Sequence, residues 1–221
     1  MKTVLCFGDS NTWGYEPGTG LRYDESTRWT SLTPMLLENK VSFYEAGLNG
    51  RTTNSCDTKR DFRRGTELLK LYLESCRPLS LVIINLGTND LKKSLQLSVE
   101  EIKSGARLLC KQALEFDYSP YDKPQVMLVA PAPLVNSPDL DEEFEQLELE
   151  NSRKLASTYY QLCQELGIHF LNAGQVVKTS PLDGVHWDKA AHQDFARHLA
   201  EVVKAILLGD SCACIEKVGT T

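Results

Sequence analysis

Five short apolar runs, at residues 3–7, 41–45, 79–86, 125–130 and 168–172, each have the length of one strand and are bounded by turn-forming residues. The third, LSLVIINLG, has almost no polar alternation, the pattern of a strand covered on both faces. Between and after these runs the sequence takes on a helical period. DFRRGTELLKLYLESC sets Leu68, Leu71, Tyr72 and Ser75 on one predicted face, and VEEIKSGARLLCKQALEF groups Ile102, Ala106, Leu109, Cys110 and Ala113. The last such segment, DKAAHQDFARHLAEVVKAILLG, repeats Phe195, Leu199, Val202, Val203 and Ile206 at spacings of three and four. Asp188 is its expected N-cap and Gly209 its expected C-cap.

Strands alternating with helices imply right-handed crossovers and a parallel sheet with helices on both faces. The expected fold is a three-layer α/β/α, flavodoxin-like domain with a five-stranded parallel sheet, spanning residues 1–208 and followed by a tail at 209–221. Ligands of such sheets bind outside the carboxyl ends of the strands, so residues just past each run are the first candidates for function. YEPGTGLRYDEST, YSPYDKP and NSPDLDEEFEQ read as loops, and the acidic stretch at 139–150 as a solvated helix face.

Composition narrows the partners. The chain has 221 residues, 42% of them hydrophobic, which suffices for one sizeable core. A formal charge of -6 without a polybasic run argues against nucleic acid and anionic membranes as partners. The apolar run at 4–7 is too short for a signal-peptide core or a membrane span, so the expected location is cytoplasmic. Seven scattered cysteines suit buried thiols in a reducing compartment, and Cys212-Ala213-Cys214 lacks the further ligands of a zinc site. No metal or organic cofactor is expected. Tyr118 and Tyr121 are read as exposed loop aromatics able to support a homo-oligomer interface.

Gly-Asp-Ser occurs twice, at residues 8–10 and 209–211. Ser10 follows the first run directly, at a predicted strand end; Ser211 follows a helix terminus, where Gly209 is explained as a cap. A serine hydroxyl needs a base, usually an imidazole held by a carboxylate. Of the four histidines, His169 lies in a strand run, and His192 and His198 each follow an aspartate (Asp188, Asp194) by four residues, as surface pairs do. His186 instead lies in the loop PLDGVHW, three residues after Asp183, so one tight turn brings carboxylate to imidazole. Oxyanion donors are available in EAGLNGRTT, where Gly50 admits close backbone approach, and in NLGTND, where Asn89 offers its amide. Asp9, Asn11, Trp13 and Tyr15 surround the candidate nucleophile and are candidate substrate contacts. Asp9 has an alternative task in holding the turn, and Trp13 and Tyr15 belong equally well to a core. Arg51 is expected to be a structural hydrogen-bond or ion-pair partner. A flavodoxin-like phosphate or flavin binder is the rival class, but it has no need of Asp183-x-x-His186.

Gly8-Asp9-Ser10, the glycine of NGRTT, the asparagine of GTND and Asp183-x-x-His186 together resemble the four sequence blocks of the SGNH, or GDSL, hydrolases, in their order. The resemblance implies Ser10 as nucleophile, His186 as base, Asp183 as its acid, and the Ser10 N–H, Gly50 N–H and Asn89 as oxyanion donors. The phrases LCFGDSNTWG, GLNGRTTN, LVIINLGTND, VAPAPL and DGVHW are most similar to the aryl esterase and perhydrolase-type acyltransferase branch, whose members act on small acyl esters and often form homo-oligomers. A carbohydrate O-deacetylase or thioesterase built from the same residues is the alternative within that family.

Overall fold

The computed structural model describes residues 1–57 and 59–209. Among these residues, β1 (Lys2–Gly8), β2 (Val41–Gly47), β3 (Leu81–Asn85), β4 (Gln125–Ala130) and β5 (His169–Asn172) form one sheet in the order β2-β1-β3-β4-β5, parallel throughout. The predicted α/β fold and its strands are therefore present. Side chains alternate between two cores, as a period of two demands. Leu5, Phe7, Val82, Ile84, Val126 and Leu128 point to one core; Val4, Cys6, Leu81, Ile83, Met127 and Val129 point to the other.

Helices α1 (Ser10–Trp13), α2 (Trp29–Leu36), α3 (Gly65–Ser75), α4 (Val99–Glu115), α5 (Gln146–Leu166) and α6 (Lys189–Leu207), with short 3-10 turns at Asn89–Leu91, Lys93–Leu95 and Ala173–Gln175, complete the described elements. The apolar stripes of α3, α4 and α5 cover the first face, and those of α2 and α6 the second. Capping follows side-chain chemistry: Ser98 and Glu101 form a reciprocal capping box at α4, and Asp188 accepts a hydrogen bond from Ala191 N at 2.8 Å to start α6. Gly209, at φ +81°, follows α6 in the left-handed region expected of a residue that ends a helix.

Several expectations are corrected. On α3 the buried residues are Gly65, Leu69 and Leu73, while Leu71 and Ser75 are exposed. Leucines lie all around this short helix, so its apolar pattern does not fix the inward face; packing on α4 and the sheet does. Helices α1, α2 and α5 are additional to the predicted ones. The buried stripe of α5 carries Glu148, Ser152 and Thr158 among its apolar residues, which weakens the periodic signal. Tyr118 is buried, its hydroxyl donating to Ala113 O at 2.8 Å, so it is not an exposed interface aromatic. His192 is fully buried, its Nδ1 accepting from Trp29 N at 3.4 Å and its ring packed on Trp187 and Tyr23. Asp194 pairs with Arg197, not with His198. Cys6, Cys110 and Cys163 are buried, but Cys56 is exposed. Cys212 and Cys214 lie outside the described residues, as does the tail beyond Gly209. No described helix is long and apolar enough to cross a membrane.

Candidate active site

The carboxyl ends of three adjacent strands lie level, because Gly8 is the register partner of both Gly47 and Asn85. The segments that follow therefore leave the sheet together on one edge, bringing Ser10, Gly50 and Asn89 to the same crevice. A Cβ on Gly8 would sit 2.0 Å from Thr12 Oγ1 and 2.8 Å from Asn85 O, so only glycine permits the sharp turn into α1. Asp9 holds that turn. Its carboxylate accepts from Asn11 N at 3.0 Å, and its carbonyl accepts from the Thr12 and Trp13 N–H groups. Burial pushes the Asp9 carboxyl up to about 6 against the opposing pull of the Asn11 N–H, His186 and Arg51.

His186 reaches Ser10 from the loop between β5 and α6. Its Nε2 lies 3.0 Å from Ser10 Oγ, and its Nδ1 lies 2.8 Å from Asp183 Oδ2. The second oxygen of Asp183 accepts from Val185 N and His186 N at 3.0 and 2.9 Å. Burial raises the Asp183 carboxyl, but the bond and charge of His186 and these two N–H groups outweigh it, holding the group below its ordinary value. Gly184 makes the turn possible: at φ +73°, an added Cβ would stand 2.2 Å from Val135 O. The loop after β4 anchors the turn, with Val135 N donating to Gly184 O and Ser137 Oγ to Pro181 O and Leu182 O. Tyr15 stacks on the His186 imidazole, ring centroids 4.0 Å apart.

On the other side of Ser10, Asn89 begins a 3-10 turn and donates one amide hydrogen to Arg51 O at 3.2 Å, which fixes the amide's orientation and leaves its second hydrogen for another acceptor. Gly50 occupies φ +79°. Among the described residues, neither the Gly50 N–H nor the Ser10 N–H is bonded to an acceptor. The segments carrying Gly50 and Asn89 are clamped together by buried Asp90, which accepts from both the N–H and the hydroxyl of Thr53. Burial pushes the Asp90 carboxyl up to about 6, with the Thr53 hydrogen bonds pulling the other way.

The expected catalytic and oxyanion residues thus converge, while two expected substrate contacts do not. Asp9 and Asn11 are buried and bonded into the scaffold: Asp9 Oδ1 accepts from Asn11 N at 3.0 Å, Asn11 Oδ1 accepts from Trp187 N at 2.9 Å and its Nδ2 donates to Val185 O at 3.4 Å. Trp13 and Tyr15 are half-buried and lie outside both cores, at the rim. Arg51 is structural: it is fully buried, donates to Gly8 O at 2.8 Å and to Ala46 O, and lies 4.0 Å over the Phe7 ring. Ser211 lies outside the described residues. The phosphate- or flavin-binding alternative finds no free cradle in the Gly8–Thr12 turn, because Thr12 packs against Gly8 and the Asp9 carboxylate already occupies the α1 terminus.

Sequence reasoning missed the cations beside this crevice. Four of the six residues at 59–64 are basic, Lys59, Arg60, Arg63 and Arg64, contrary to the expectation of no polybasic run. Arg63 Nε donates to Asn49 O at 2.7 Å, docking this loop on the Gly50 segment. The local clustering was the available signal.

Comparisons with known proteins agree with this geometry. Residues 6–199 match the model of the GDSL-like lipase/acylhydrolase family. The structure is similar to the native M. smegmatis aryl esterase, at 33% identity and TM-score 0.89, over 94% of this chain and 100% of that one. A carbohydrate acetylesterase from Sinorhizobium meliloti matches at 34% identity and TM-score 0.89 with the same coverage. A candidate arylesterase from Agrobacterium tumefaciens str. C58 matches at 42% identity and TM-score 0.88, again over 94% and 100%. No curated protein matched in the corresponding sequence search. With its five-stranded parallel sheet and the Ser10, His186 and Asp183 side chains in one hydrogen-bonded line, the chain belongs to the GDSL-like lipase/acylhydrolase family of serine ester hydrolases.

Proposed function

We propose that the protein hydrolyses small acyl esters through an acyl-serine intermediate, with Ser10 as nucleophile, His186 as general base and Asp183 as its orienting acid. The observation that carries this reading is the continuous relay from Ser10 Oγ to His186 Nε2 and from His186 Nδ1 to Asp183, at 3.0 and 2.8 Å. Ser10 Oγ attacks the ester carbonyl carbon as its proton passes to His186 Nε2. The negative oxygen formed is held by the Ser10 N–H, the Gly50 N–H and the Asn89 amide. His186 then gives the proton to the departing alkoxide as the C–O bond breaks. Water, deprotonated by the same nitrogen, attacks the acyl group and releases Ser10; another alcohol in place of water would make the step an acyl transfer.

A carbohydrate acetyl ester is the second reading, supported by the Sinorhizobium meliloti carbohydrate acetylesterase being as similar as the aryl esterase. Both substrates share the acyl half-reaction and differ in the leaving alcohol. The test is p-nitrophenol release from p-nitrophenyl acetate by wild type and by Ser10→Ala, with folding of both checked by circular dichroism. Turnover that vanishes in the variant is expected; equal turnover by both would remove Ser10 from the chemistry. Acetylated xylan and phenyl acetate, compared by kcat/KM, decide between the two leaving groups. We propose a cytoplasmic location and an assembly of several copies, which fractionation and light scattering test; a monomer in solution would exclude the second.

A further inference from the structure

We propose that Arg60 recognises a carboxylate carried by the ester, close to its scissile carbonyl, making esters with an anionic arm the preferred substrates. The proposal rests on the reading of Gly50 as an oxyanion donor. The Arg60 guanidinium lies directly on Gly50: a Cβ there would be 2.5 Å from Nη2, 2.7 Å from Cζ and 2.9 Å from Nη1. Gly50 thus has a second reason to be glycine besides its φ of +79°, since any side chain would displace this cation.

The other cations of the loop are engaged. Lys59 pairs with Glu143 at 3.0 Å, Arg63 donates to Asn49 O and Asp61 O, and Arg64 pairs with Glu67 at 3.2 Å. Among the described residues Arg60 has one ion pair, through Nε to Asp57 Oδ2 at 3.4 Å, and Asp57 is shared with Lys92 at 3.5 Å. Among the described residues, nothing accepts a hydrogen bond from Arg60 Nη1 or Nη2. These two amino groups form the planar fork that matches a carboxylate. The side chain is 42% exposed and lines two cavities, of about 410 Å³ and about 270 Å³. The larger continues to Lys59 and Lys92, and the smaller to Arg63 and Arg64. Their acids are Asp57, Asp141 and Glu143 in the first, and Asp57, Asp61 and Glu67 in the second; Asp57, Glu143 and Glu67 are already ion-paired. Neither cavity is lined by Ser10, Gly50, Asn89 or His186, so what ties Arg60 to the ester is its seat on Gly50: a ligand whose carbonyl sits there has the unbonded Nη1 and Nη2 beside it.

The carboxylate is borne by either the acyl group or the leaving alcohol, and two substrate pairs separate these. Monoethyl succinate against diethyl succinate, followed by ethanol release, tests the acyl side. 4-Acetoxybenzoate against its methyl ester, followed by acetate release, tests the leaving side. The readout is the kcat/KM ratio of charged to neutral ester for wild type, Arg60→Gln and Arg60→Lys. A charge-assisted hydrogen bond at a partly exposed site predicts that Arg60→Gln lowers this ratio about tenfold in one pair, mainly through KM, and that Arg60→Lys retains part of it. The wild-type ratio should also fall as salt is raised. Unchanged ratios in both pairs, or an equal loss on charged and neutral esters, would overturn the proposal. Absence of Ser10-dependent turnover of all four esters by wild type would sink the esterase reading itself, and the role of Arg60 with it.

Discussion

Asn11 Oδ1 accepts a hydrogen bond from Trp187 N at 2.9 Å, so the residue after the proposed nucleophile grips the residue after the proposed base. This bond joins the end of β1 to the segment that leads into α6 and sets the separation of Ser10 and His186. Asn11→Ala leaves the buried Trp187 N–H without a partner, a cost of about 1–3 kcal/mol. Urea unfolding should report that loss, and steady-state kinetics a fall in kcat larger than the change in KM. A stable variant with wild-type kcat would show that alignment is set elsewhere.

Asn89→Ala should lower kcat by about 10²-fold while leaving the fold intact, because one proposed donor to the developing oxyanion is lost. The amide also holds Arg51 O, so circular dichroism belongs beside the kinetics. Loss confined to KM would mean that Asn89 binds the ester equally in ground and transition states.

Gly184→Ala combines a left-handed φ of +73° with a 2.2 Å approach to Val135 O. The backbone conformation alone costs about 1–2 kcal/mol, and relieving the contact shifts the turn that carries Asp183 and His186. We expect a lower melting temperature together with reduced kcat. An unchanged melting temperature would contradict the assigned geometry.

His192 is held neutral by burial, with smaller contributions from Arg28 and His186, and its pKa is pushed down to about 3. A histidine ordinary in the unfolded chain and depressed in the fold binds more protons when unfolded, so its effect erodes stability as pH falls below 6.5 and continues to do so toward 3. Asp9 and Asp90, both raised to about 6, act in the opposite direction, with acidification from 6 to 4 favouring the folded state. Wild type therefore reports a partial cancellation. His192→Asn, which keeps an acceptor for Trp29 N, isolates one side of it. Between pH 7 and 4.5 the variant should lose about 2–3 kcal/mol less stability than wild type in chemical denaturation. Parallel losses would show that His192 is protonated in the fold.

The central strands β1, β3 and β4 were legible because apolar runs buried on both faces leave a dense signal, the partly buried edge strands β2 and β5 because each is a short apolar run between turns, and the parallel sheet followed from the helices between them. The Asp183–His186 pair was legible because a single local turn makes it. Helix α5 was not, since Ser152 sits in its buried stripe yet is satisfied locally, donating to Leu149 O and accepting from Leu134 N. His192 was misread because its four-residue spacing from Asp188 resembles a surface pair. Asp188 instead caps α6, and the imidazole turns inward to Trp29. Arg60 could not be read at all in its role, because what singles it out is its seat on Gly50, a contact made only once the 59–64 loop folds back on the sheet edge.

Ser10 and His186 stand 176 residues apart in the chain yet share one hydrogen bond, which gives the enzyme a built-in order of assembly during translation. His186 leaves the ribosome 176 residues after Ser10. At synthesis rates of about 5–20 residues per second, the nascent chain carries an unactivated hydroxyl for roughly 10–35 s. In the proposed mechanism, Ser10 gains its base only when the loop carrying His186 docks on the sheet.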